Sequence, residues 1–320
     1  MELFRFTFFI LGKGKHTRHL KSEYPSHRVN YTLQIRRMLM LSLTFGLVAA
    51  LCWGLHDFII RILKQPRGIY ASIAAVLFFG CLFQSPVVIL YADFSEISYL
   101  ALSLSVVSGS FFALAGIALY KAFVIGPIKL VAPIVGAYPV FSLIFSGLNG
   151  NLPTYIHFGA AIIIVISAGY VASSKDENQG SLSNKKSAIF WAIASSFSFA
   201  SSFALGQYAS NLSDQYALLL PNRVSALIAL IFIAKYLTMP IVPDLSEWRI
   251  FAFMALLDAI AQGFVISSGK LEFPVFASIS ASLFGLVTIL LAAVILRERI
   301  SPKQWIAILF VFFGLTILSY

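Results

Sequence analysis

Ten apolar runs follow one another along this chain with only short polar links between them. They lie at about 39–60, 68–91, 97–120, 126–148, 153–173, 187–209, 215–237, 248–269, 273–296 and 302–320. Crossing about 30 Å of hydrocarbon takes about 20 residues of helix. Inside a bilayer the backbone must satisfy its own hydrogen bonds, which leaves helices or closed barrels. Continuous apolar runs of this length specify helices. The chain has 59% hydrophobic and 11% charged residues, against about 45–50% and about 25% in soluble domains. The expected class is an all-α multi-pass membrane protein with ten transmembrane helices.

The longest link, "SSKDENQGSLSNKK" at 173–186, divides the runs five and five. The halves resemble each other. "TFGLVAALCWGLHDF" (44–58) aligns with "IFWAIASSFSFASSF" (189–203), and "GPIKLVAPIVGAYPVFSLIF" (126–145) aligns with "FPVFASISASLFGLVTILLA" (273–292). An odd number of spans per repeat forces opposite insertion of the two halves. Inverted repeats place a site near the midplane between them. The expected organisation is a basic tail at 1–38, a five-helix repeat at 39–173, a polar linker at 174–186, and a second five-helix repeat at 187–320, around a central cavity.

The net charge is +10, and residues 1–37 hold eight of the 23 Lys and Arg. A basic tail beside a membrane reads anionic lipid, so the charge does not argue for nucleic acid. A second reading starts the chain at Met38 or Met40. Of the 15 Lys and Arg after the tail, 13 fall in odd-numbered links, which puts those links in the cytoplasm and both termini outside. The tail argues the reverse. Cys52 and Cys81 lie in apolar runs, giving neither a disulfide framework nor metal-ligand spacing. No catalytic constellation or phosphate-binding loop is present, so no cofactor, metal or enzymatic activity is expected.

The fourth run carries Pro127, Pro133 and Pro139. Pro127 suits a helix entry, and Pro274 takes the same place in the second half. Pro133 and Pro139 are interior, where each removes a backbone hydrogen bond. Their counterparts are Ser280 and Leu286, so the kink is expected to be special to the first half. Neighbours, hydroxyls or water must satisfy the freed carbonyls. Span four is expected to bend around a substrate path, with Gly136 permitting close approach.

Several motifs, in order, resemble those of the EamA-type permeases of the drug/metabolite transporter superfamily. "ALCWGLHDF" resembles the Trp-Gly signature of the family's first span. "ALYKAFVIGPIKLVAPIVGAYPVFSLIFS" resembles its third-to-fourth junction. "LPNRVSALIAL" resembles its arginine-bearing span, placing Arg223 on the family's arginine. "ILRERISPKQWIAILFVFFGL" resembles its Glu-Arg link and last span, placing Glu298 on the family's glutamate. The resemblance covers about 42–320. The first half departs from it, with "LNGNLP" in place of the Glu-Arg pair and no charge near Leu77, the counterpart of Arg223. The resemblance implies ten helices, a central cavity and small-metabolite transport, often export.

The candidate site residues are Arg223, Asp258, Gln262, Tyr120, Tyr138, Trp53, His56 and Asp57. A charge within a span is costly and marks function by default. Arg223 reads as a cavity cation for a substrate carboxylate, or as half of a structural ion pair. Asp258, with Gln262 one turn on, reads as a proton-coupling or amine-binding group, or as the partner of Arg223. Asp57 precedes Arg61 by four residues, the order that favours an ordinary helix pair, and His56 reads as hydrogen-bonded. Trp53 reads as packed, with lining of the site as the alternative. Tyr120 and Tyr138 could face the cavity and stack on a ligand. Lys121 and Lys129 read as interfacial anchors, and Glu298 as part of a salt-bridge cluster with Arg297 and Arg299.

The expected function is secondary transport of small metabolites, such as amino acids or related amphipathic compounds, by alternating access between the repeats. Export is the expected direction, and the expected location is the bacterial cytoplasmic (inner) membrane. The expected partners are a small-molecule substrate, the bilayer and a second copy in a homodimer. The alternatives are a scaffold or receptor, whose links are too short for a large partner surface, and a membrane enzyme, for which only His56–Asp57 offers a seed.

Overall fold

Why do ten runs fold into more than ten helices? The computed structural model describes residues 25–63, 68–148, 154–173, 182–271 and 274–317. Met1–Arg37 and Met38–Tyr320 are separate compact units, and the elements named below belong to the second. They are α1 (Met40–Ile62), α2 (Ile69–Tyr91), α3 (Tyr99–Ile125), α4 (Ile128–Gly136), α5 (Tyr138–Leu148), α6 (Tyr155–Ser173), α7 (Leu182–Leu212), α8 (Leu219–Tyr236), α9 (Trp248–Ser267), α10 (Pro274–Ala281), α11 (Phe284–Ile295) and α12 (Pro302–Ile317). Every regular element is helical among the described residues. Seven helices are long and apolar enough to cross a membrane, and three shorter apolar ones lie at Ile128–Ser142, Tyr155–Ile164 and Pro302–Ile317. The tail before residue 25, part of "LNGNLP" and most of the polar linker lie outside the described residues.

Helix ends follow local chemistry. Ser98 caps α3 by accepting from the Ala101 N–H at 3.1 Å, the usual duty of a serine at that position. Gly68 enters α2 at φ 85°, a conformation open to glycine. Pro127 sits at the N-cap of α4 and Pro274 is the first residue of α10, as their entry roles required. The outward faces are apolar: Leu51, Phe232 and Val294 are among many large exposed hydrophobic side chains. That surface suits lipid and not water.

Span four is broken, and so is span nine. The first break falls at Ala137, between α4 and α5. Pro139 then sits in the first turn of α5, where no intrahelical N–H is needed. The second break falls at Ser282 and Leu283, between α10 and α11, where there is no proline. Hydroxyls act there instead. Ser282 Oγ donates to the Ile279 carbonyl at 2.6 Å, and Ser280 Oγ donates to the Phe276 carbonyl. The Leu283 N–H turns to the Ser280 carbonyl at 3.1 Å, a tightening that ends an α-helix. The expectation that the bend belongs to the first half alone is therefore corrected. Serines in span nine do what prolines do in span four.

The broken helices lie against each other. A Cβ placed on Gly136 would come within 3.0 Å of the Ser282 carbonyl oxygen, and one on Gly285 within 2.7 Å of that of Ala132. Glycine is what lets the two backbones approach here. Tyr138, fully buried, donates its hydroxyl to the Ser278 carbonyl across the same junction. All of α4 is buried.

Elsewhere α3 packs along α7 and α8, α2 packs on α8 and α9, and α6 packs on α12. At one end Arg61 donates to the Phe123 carbonyl at 3.0 Å, and Lys129 to that of Arg299 at 2.8 Å. Lys129 is buried, so it is a packing group and not the interfacial anchor expected. Lys121 lies over the Trp191 ring at 4.2 Å. Glu298 forms no ion pair with Arg297 or Arg299 among the described contacts; one of its carboxylate oxygens is without a hydrogen-bond partner.

Candidate functional site

The interior polar groups gather where α1, α3, α8 and α9 meet. Arg223 on α8 is fully buried, and its Nη1 pairs with Asp258 on α9. The other Asp258 oxygen accepts from Trp53 Nε1 on α1 at 2.9 Å. The guanidinium also lies 5.2 Å from the centre of the Phe112 ring, a favourable cation–π distance. Gly80 on α2 makes room for it: a Cβ there would stand 3.2 Å from Arg223 Nε. A buried pair of this kind repays its desolvation only with further hydrogen bonds, and Trp53 supplies one.

Beside Arg223 runs a chain of buried amides and hydroxyls. Gln84 donates to Gln262 at 3.3 Å, and Gln262 to Asn222 at 2.9 Å. Asn222 donates to Ser108 Oγ at 2.8 Å, and Ser108 to the Ser202 carbonyl at 2.7 Å. These bonds join α2, α9, α8, α3 and α7 at one level.

Next to Asp258 is a cavity of about 40 Å³, enough for a few water molecules. Trp53, His56, Asp57, Tyr120 and Asp258 supply its polar edge, and Phe112, Phe199, Phe203 and Phe284 its aromatic wall. Trp53 and Phe203 stack at 5.2 Å, as do Phe199 and Phe203 at 5.5 Å. His56 Nδ1 lies 3.1 Å from Asp57 Oδ1. The other ends of this pair, His56 Nε2 and Asp57 Oδ2, have no protein partner, nor does the Tyr120 hydroxyl. All three residues are buried, Asp57 to 2% exposure and Tyr120 to 3%.

Five of the eight candidate residues thus share one cavity: Trp53, His56, Asp57, Tyr120 and Asp258. Arg223 does not line it. Its Nη1 pairs with Asp258 while Nε and Nη2 have no protein partner, so its reading as half of an ion pair is the one the geometry supports. Gln262 belongs to the amide chain instead, and Tyr138 is tied to Ser278 behind Phe203. Pro133, Gly136 and Pro139 are not on the lining either. Their helix break shapes the crossing with span nine, and Phe284, at the second break, is the residue that reaches the cavity. The expected Asp57–Arg61 pair is absent: Asp57 faces His56, and Arg61 turns to Phe123. Burial of Asp57 rules out the water-screened setting that such a pair assumed. Sequence reasoning missed the aromatic wall, because 30 phenylalanines give no way to single out four.

The second half of the chain, residues 186–320, matches the model of the EamA-like transporter family. The match covers less than half of the chain. The resemblance seen in the order of the motifs is borne out there, and the family is one of transporters. Arg223, Asp258, Phe199, Phe203 and Phe284 all lie within the matched residues. No curated protein matches the chain significantly. A solved crystal structure, described only as that of a protein, aligns with a TM-score of 0.62 at 14% identity, over 86% of this chain and 95% of that one. That likeness shows a shared fold over most of the chain.

Proposed function

We propose that this chain is a secondary transporter of small metabolites, built as two inverted five-helix repeats that give alternating access to one central site. The observation that carries the reading is the cavity itself. Its polar edge comes mainly from α1 and α3, and its aromatic wall mainly from α7 and α11, so both halves must move relative to each other to open it. Corresponding spans also pair across the halves: span two with span seven (α2 with α8), span four with span nine (α4 with α11), and span five with span ten (α6 with α12). Such self-pairing is what a two-fold axis between repeats produces. A cavity that holds only a few waters admits a metabolite only when helices part. Movement of solute then follows from rocking of one repeat on the other, with the crossed breaks of α4 and α11 at the contact.

Export across a bacterial cytoplasmic membrane, with odd links inside, completes the proposal. Purified protein in proteoliposomes, preloaded with unlabelled metabolites, is expected to accumulate a labelled one by counterflow. Accumulation no greater than in protein-free liposomes, across a panel of amino acids, amines and nucleosides, would overturn it. A cysteine at Ser95, in a background lacking Cys52 and Cys81, is expected to label from outside intact cells.

A further inference from the structure

We infer that the cavity binds a protonated amine carried on an apolar or aromatic body, and that a proton on the His56–Asp57 pair competes with that amine. The inference rests on the transporter reading and adds the chemical class of its substrate. Charge bookkeeping comes first. Arg223 and Asp258 cancel each other, which leaves Asp57 as the uncompensated charge on the cavity edge. Among the described residues no cation lines the cavity. Arg61, one turn later on α1, donates to the Phe123 carbonyl, and Lys121 on α3 lies over Trp191. From α2, α7 and α11 only apolar side chains reach the lining. An isolated carboxylate in an apolar interior is costly unless it is paired.

Two species can pair it. A proton shared by His56 and Asp57 restores neutrality. An ammonium group does the same, with Asp57 Oδ2 open to accept from it. The Tyr120 hydroxyl and His56 Nε2, both without protein partners, belong to residues of the same lining and are further acceptors. The wall of Trp53, Phe203 and Phe284 supplies ring faces for the cation and apolar surface for its body. A free carboxylate meets no cation on the lining, because Arg223, whose Nη1 pairs with Asp258, is not part of it. Binding of the amine therefore returns the proton from the pair to the medium, and re-protonation expels the amine.

The test titrates the purified full-length protein, in lipid nanodiscs, with benzylamine, benzyl alcohol and benzoate, read by calorimetry. Benzylamine is expected to bind about tenfold or more tighter than the alcohol, as a charge-assisted contact requires, and benzoate no tighter than the alcohol. Affinity for the amine is expected to rise with pH, with proton release on binding in weak buffer. Asp57→Asn is expected to erase the preference for amine over alcohol while still binding the alcohol, which shows that the cavity has formed. His56→Gln is expected to flatten the pH profile. Benzoate binding as tightly as benzylamine, or an Asp57→Asn protein that keeps the preference, would overturn the amine assignment. An affinity independent of pH would overturn the competition. Counterflow of some solute without amine preference would sink this inference and leave the transporter reading standing; amine binding without counterflow of any solute would do the opposite.

Discussion

Arg223 and Asp258 are paired on adjoining helices, and both Asp258 oxygens are engaged, so the carboxylate oxygen left without a partner at the cavity is Asp57 Oδ2. This relationship separates a structural pair from a chemical one within a single cluster. The first prediction follows from it. Arg223→Met strands a buried Asp258, and Asp258→Asn strands a buried Arg223, each at about 3–5 kcal/mol. The double variant is expected to be more stable than the sum of the singles implies, by about 0.5–3 kcal/mol. Thermal unfolding in detergent checks the cycle, and strict additivity would contradict the pairing.

Trp53→Phe keeps the stack on Phe203 and removes the N–H that Asp258 accepts. A lost hydrogen bond to a charged group costs about 1.5–3 kcal/mol. A fall in unfolding temperature is expected, and Trp53→Leu, which removes the ring stack as well, is expected to fall further.

Gly285→Ala places a Cβ at 2.7 Å from the Ala132 carbonyl oxygen. The backbones of α4 and α11 must separate to admit it, and overpacking of this kind costs about 1–3 kcal/mol. Gly136→Ala, at 3.0 Å from the Ser282 carbonyl, is expected to be milder. Expression level and thermal stability rank the two.

Pro139→Ala is expected to leave both stability and counterflow close to those of the unaltered protein. The proline occupies the first turn of α5, where it costs little, and span nine breaks without one. A loss comparable to that of Gly285→Ala would show that Pro139 itself forces the break.

Asp93 accepts from the Ser95 N–H at 2.9 Å and from its hydroxyl at 2.6 Å, in an exposed link. These bonds hold its carboxyl below the usual carboxylate range. A folded-state value below the unfolded one stabilises above the unfolded value, about pH 4, and the effect is lost as pH falls through the lower one. Asp93→Ala is expected to destabilise the link near neutrality and to match the unaltered protein in strong acid, read by hydrogen exchange at Ser95.

Helix type and order were legible because apolar length decides them, and the charged positions stood out because a charge inside a span is rare. Asp57 was misjudged for a single reason. Which face of α1 meets the interior depends on how α9 and α11 pack against it, and neither periodicity nor spacing carries that. The break in span nine was hidden because serine is neutral enough in a helix to pass unnoticed, whereas proline announces itself. Likewise, four phenylalanines became a wall only through contacts between distant helices.

The two helix breaks bear on how such chains diverge. Span four interrupts its backbone ladder beside imino acids, and span nine interrupts its own beside hydroxyls. A lineage can therefore exchange one means for the other while the bend stays in place. Across relatives, the depth of the interruption is the character to follow, and a search keyed to proline alone would overlook half of its occurrences in this very chain.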